Sequence, residues 1–111
     1  MTISLDSLEK FTTQNPIGAF CVVGECMSGK NIHTGDYLIV DFTRTPTAGD
    51  VAAVGKIKGN NVYIMAKEYV AQTDSKYIAT TRPASGNAEI ISVDCVLGVV
   101  IECRSRCFVL S

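Results

Sequence analysis

From Ala19 onward the chain repeats one pattern: a short run rich in valine, isoleucine, tyrosine and threonine, then a glycine-bearing turn, then another run. Runs of this kind predict β-strands, because β-branched and aromatic side chains suit a pleated surface. They fall at Ala19–Gly24, Tyr37–Phe42, Val51–Lys58, Val62–Tyr69, Tyr77–Thr80, Glu89–Ser92, Val96–Cys103 and Phe108–Leu110. Thr34-Gly35-Asp36, Gly49-Asp50 and Gly59-Asn60-Asn61 supply the turns. Only the first thirteen residues read differently. There Leu5, Leu8 and Phe11 share one helical face, Asp6 and Glu9 stand at capping-box spacing, and Asn15-Pro16 stops the helix. The pattern predicts a mainly β, strongly curled domain with one short N-terminal helix.

Length and charge narrow this picture. The 111 residues are 47% hydrophobic, show no linker or repeat, and suffice for a single domain spanning 1–111 with one core. Ten basic against 11 acidic residues give a net charge of −1, which offers no footprint for a nucleic-acid backbone. No apolar run approaches the ~20 residues of a membrane span, and Met1–Lys10 lacks the basic-then-apolar order of an export signal. Five cysteines (Cys21, Cys26, Cys95, Cys103, Cys107) form an odd set without scaffold spacing, so free thiols in a reducing cytoplasm are expected.

The candidate chemistry lies between the first two strands. Gly24-Glu25-Cys26-Met27-Ser28-Gly29-Lys30-Asn31-Ile32-His33-Thr34-Gly35-Asp36 is a small, polar loop that presents one thiol. Ser28 is a rival nucleophile two residues away, and His33, the single histidine, sits in a polar turn and reads as solvated. Cys103 and Cys107 (CRSRC) have no second pair or histidine to complete a zinc site, so neither metal nor cofactor is expected. Arg104 and Arg106 read as surface charges.

Gly-x-Cys-Met, followed nine residues after the cysteine by Gly35-Asp36 and an apolar strand, resembles the S24 peptidase family of LexA and UmuD. Cys26 stands where that family has its nucleophilic serine. Leu5–Phe20, Tyr37-Leu38-Ile39-Val40-Asp41, Gly49-Asp50-Val51 and Gly98-Val99-Val100-Ile101 resemble other family segments in the same order, so the likeness covers nearly the whole chain. It implies a curled antiparallel fold of the LexA and signal-peptidase type. It also implies a dyad with lysine, and an oxyanion site made by the backbone N–H groups of Glu25 and Cys26.

Two residues compete for the lysine position. An ungapped reading selects Met65, which would mean a dead site. Hairpin register selects Lys67: a two-residue Gly59-Asn60 turn pairs Lys58 with Asn61 and, stepping outward, Ala52 with Lys67. Met65 and Lys67 share a strand face, and a turn shifted by one residue would change the pairing.

The sulfur alters the expected chemistry. A serine–lysine dyad needs a neutral amine as base, whereas a thiol beside an amine tends towards thiolate and ammonium. Sulfur also leaves a tetrahedral intermediate more readily than an amine does, so weak or absent amide hydrolysis is expected. Neither Ala-Gly nor Cys-Gly, small-residue bonds of the kind the family cuts, occurs before Cys26, and Ala48-Gly49 lies in the core. The chain thus resembles a processed, UmuD-like core. Two functions remain open at this point: a self-cleaving peptidase-type core of the DNA-damage (SOS) response, and a non-catalytic module binding a translesion DNA polymerase, a recombinase or a repressor. An all-β domain unrelated to peptidases is a third reading. Val96–Cys103, read as an exposed C-terminal edge, together with the resemblance, implies a homodimer whose interface includes Ile101 to Leu110.

Overall fold

The computed structural model describes residues 1–105; the expected strand at Phe108–Leu110, with Arg106 and Cys107, lies outside them. Helix α1 spans Leu5–Gln14. Its N-cap is Ser4, whose Oγ accepts from the Ser7 N–H at 3.2 Å. The Asp6–Glu9 pair therefore is not the cap; Asp6 sits inside the first turn, where a carboxylate complements the helix dipole. At the other end the backbone and side-chain amides of Asn15 both donate to the Phe11 carbonyl, at 3.0 and 2.9 Å, and Pro16 follows. Leu8 is buried, with Leu5 and Phe11 packed beside it, and the rings of Phe11, Phe20 and Phe42 meet edge to face.

The rest is one antiparallel sheet. Its strands are β1 (Thr2–Ser4), β2 (Ile17–Cys21), β3 (Tyr37–Asp41), β4 (Val51–Lys58), β5 (Asn61–Gln72), β6 (Tyr77–Thr80), β7 (Ile90–Val93) and β8 (Cys95–Arg104). They run in the order β2-β3-β8-β4-β5-β6-β7, with β1 added beside β5. Register shifts at Ile39/Val40, Ala53/Val54 and Tyr69/Ala71 are the bulges that let such a sheet curl. The curl buries apolar residues on both faces. Val62, Ile64 and Ala66 join a core with Leu8, Phe20, Met27 and Val40, while Met65 and Tyr69 join a second cluster around Ala52, Val54 and Val93.

Two elements of this sheet bear on function. The β4–β5 hairpin has the expected register, from Lys58↔Asn61 through Val54↔Met65 to Ala52↔Lys67. Its two-residue turn puts Gly59 at φ 61, the position at which a type II′ turn calls for glycine. Strand β8, expected as an exposed edge, is interior: Cys95–Val99 pairs with β4, and Val99–Arg104 with β3. The reason is that β3 and β4 are not hydrogen-bonded to each other, and β8 fills the place between them. Among the described residues, Cys95–Gly98 is paired with β4 alone and Val100–Arg104 with β3 alone, so the two ladders overlap only at Val99. No described helix is long and apolar enough to cross a membrane.

Candidate active site

The segment between β2 and β3 holds Cys26. It has little regular structure, a single 3-10 turn at Ser28–Lys30, so its shape must come from anchors. Two are apolar: Met27 and Ile32 are buried, at 2% and 3% exposure, in the main core. A third closes the base, where Val22 N–H donates to the Asp36 carbonyl and Gly35 N–H to the Val22 carbonyl. The fourth is remote in sequence. Arg82 N–H donates to the Cys26 carbonyl at 2.9 Å, Gly29 N–H donates to the Arg82 carbonyl at 2.7 Å, and Ala84 N–H donates to Ser28 Oγ at 2.8 Å. The stretch after β6 is a brace along the Cys26 loop.

Lys67 comes from the opposite direction, near the middle of β5. The structure brings its Nζ to 2.8 Å from Cys26 Sγ, with nitrogen donating. Lys67 is 7% exposed, and its partner in the ladder is the fully buried Ala52, so the amine lies in a largely dry wall. Met65 lines the same groove and packs into the second cluster. The groove beside the pair encloses about 120 Å³, and its apolar lining includes Phe20, Val22, Met27, Ile64 and Met65.

Among the described residues, neither the Glu25 nor the Cys26 backbone N–H donates to a backbone carbonyl. The Glu25 side chain turns away to His33 Nδ1 at 2.9 Å and accepts from Thr34 N–H at 3.3 Å. The His33 contact, with help from Thr34, holds the Glu25 carboxyl below its ordinary value. His33 also meets Asn31 Oδ1 and is half exposed. Ser28 is occupied as the acceptor from Ala84, so the rival hydroxyl belongs to the brace. Cys95 lies against the Gly55 carbonyl, and burial pushes its thiol up. Burial and the Asp36 carboxylate do the same to Cys103. Among the described cysteines, Cys26 has the cationic neighbour. Cys107, the second member of CRSRC, lies outside the described residues, and no metal-holding cluster occurs within them.

One feature was not foreseen. Glu68, next to Lys67 on β5, is buried, and its carboxylate meets Arg82 Nε and Nη2 at 3.0 and 2.6 Å and Lys30 Nζ at 3.1 Å. The Arg82 hydrogen bond, reinforced by Lys30, holds the carboxyl below its ordinary 4.5 against the opposing effect of burial. Strand, loop and brace are thereby tied by one anion. Three charges far apart in the sequence carry no periodic signal, so only the tertiary structure reveals the tie.

No protein-family model matches the chain, and no curated protein is significantly similar to it. The functional reading rests on the geometry of the site and on the motif likeness.

Proposed function

We propose that this chain is an S24-type, peptidase-like core of the DNA-damage response in which Cys26 replaces the serine nucleophile and Lys67 is its proton partner. The observation that carries the proposal is the 2.8 Å contact between Lys67 Nζ and Cys26 Sγ in a dry wall. Lys67 accepts the thiol proton, the sulfur attacks a peptide carbonyl, and the Glu25 and Cys26 N–H groups hold the oxyanion. Donors of that kind typically contribute ~2.7–4 kcal/mol each. The Lys67 ammonium then returns the proton to the leaving amine, and water releases the acyl group from sulfur. Collapse of the intermediate favours loss of the thiolate over loss of the amine, so amide turnover is weak.

That same sulfur favours a second reading: a UmuD-like regulatory module, chemically quiet, that binds a translesion polymerase, a recombinase or a repressor. Homodimerisation belongs to both readings, and the one-sided Val100–Arg104 stretch of β8 is the described part of the region that would serve it. A cytoplasmic setting is supported by the cysteines among the described residues, where Cys21, Cys26, Cys95 and Cys103 form no disulfide with one another.

The test is a Cys26→Ser variant assayed on supplied peptides containing Ala-Gly bonds, with and without Lys67→Met. Peptide cleavage that appears with serine and vanishes with methionine is the outcome expected of a peptidase core. A folded serine variant that leaves every peptide intact would hand the chain to the binding-module reading.

A further inference from the structure

The contact that would support hydrolysis has a second consequence in oxidising conditions. Sulfur is larger than oxygen, yet the Lys67 nitrogen and the Cys26 sulfur are 2.8 Å apart, about the length of an ordinary N–H···O bond. The lysine is 7% exposed, so the two atoms meet where little water competes. Cys26 itself is only half buried and borders the open groove, which lets a small oxidant reach the sulfur.

We propose that Cys26 and Lys67 are a peroxide-dependent modification site, closing to a covalent Sγ–Nζ sulfenamide that thiols reopen. The Cys26 thiolate attacks hydrogen peroxide; an S–O bond forms, the O–O bond breaks, and hydroxide leaves. Hydroxide takes the proton from the Lys67 ammonium and becomes water. Having given up that proton, the Lys67 amine has a free lone pair. It attacks the sulfenic sulfur, forming the S–N bond; the S–O bond breaks, and the departing oxygen takes the amine proton to give a second water. Sulfur loses two electrons, peroxide gains two, and the protein loses two hydrogens. A small thiol reverses the step by attacking sulfur and expelling the amine, and a second thiol then reduces the mixed disulfide. Condensation of sulfenic acid with a neighbouring nitrogen is known chemistry for cysteine. Here the side-chain amine is already in place.

The competing fates are distinct. Cys21 is exposed and borders the same groove, so a Cys21–Cys26 disulfide is one rival, and further oxidation of Cys26 to sulfinic acid is another. The proposal needs no hydrolysis, so a chain without peptidase activity can still form the bond.

The experiment is peptide mass spectrometry of the intact chain after equimolar hydrogen peroxide, with and without later dithiothreitol. Expected are a crosslinked pair of peptides containing Cys26 and Lys67, lighter by two hydrogens, its persistence in Cys21→Ser, and its disappearance on reduction. In Lys67→Arg the crosslink should be absent and Cys26 should advance to sulfinic acid. Recovery of wild-type Cys26 as a disulfide or as sulfinic acid, with Lys67 unmodified, would overturn the proposal without bearing on hydrolysis.

Discussion

Cys26 and Lys67 meet at one point but are delivered there by different kinds of structure. Lys67 rides on an eight-pair ladder whose register runs unbroken from Lys58↔Asn61 to Val51↔Glu68. Its position follows from a turn and a count of two. Cys26 sits in a segment with no strand and one short 3-10 turn, held by Met27, Ile32 and the Arg82–Ala84 brace. The hairpin is fixed locally and the loop remotely. Damage to the hairpin should therefore lower stability first, whereas damage to the loop's supports should reach the thiol.

The largest effect is expected at Met27, the residue after Cys26. Met27→Ala removes a nearly fully buried side chain and should cost ~2–5 kcal/mol in denaturant unfolding, with Cys26 reactivity lost alongside. A smaller but more selective effect separates two glycines. A Cβ at Gly29 would meet the Arg82 and Pro83 carbonyl oxygens at 2.6 and 2.9 Å, so Gly29→Ala should push the loop off its brace. About 1–3 kcal/mol of stability and much of the Cys26–Lys67 coupling should go with it. Gly59→Ala strains the hairpin turn at φ 61, where no neighbour crowds the added carbon, for a similar ~1–3 kcal/mol. The alkylation rate of its folded form should match wild type. Equal loss of reactivity in both glycine variants would break the distinction between the two regions.

The smallest effect concerns the anion that joins them. Glu68→Gln should cost ~1 kcal/mol at neutral pH, because Lys30 and Arg82 are both partly exposed. The sign of its pH dependence follows from the lowered carboxyl. Below its ordinary value in the fold, Glu68 contributes stability that is whole above pH 4.5 and fades as pH falls through the lower folded value. The urea midpoints of wild type and variant should thus differ at pH 7 and converge in acid. A gap that widens below pH 4.5 would contradict the assignment.

The same division marks what the sequence made legible. Period-two runs and glycine turns place β4 and β6 to the residue and the remaining described strands, apart from β1, within a few residues; the two-residue turn places Lys67 opposite Ala52. Such signals are local, and hairpins are local structures. Strand β1 escaped because Thr2–Ser4 is three residues long and its partner Asn61–Tyr63 lies far along the chain. Ser4 escaped as the helix cap because Asp6 and Glu9, both inside the helix, offered the same spacing. The interior position of β8 is a matter of strand order, which no run of apolar residues records. The loop's motif pointed to Cys26, but its brace and the Glu68 tie are pairings between distant segments. They exist only once the sheet has closed.

The central claim is that Lys67 makes the Cys26 thiol reactive. Its most direct measurement is the iodoacetamide alkylation rate of Cys26 at pH 7, read by peptide mass spectrometry in wild type, Lys67→Met and Lys67→Arg. Loss of the amine should slow the reaction on the order of tenfold, since the thiolate is the reacting form and its cationic partner is gone. Arginine should restore part of the rate. Equal rates in all three proteins, each still folded by circular dichroism, would show that the 2.8 Å contact does not govern the sulfur and would remove the basis for the dyad.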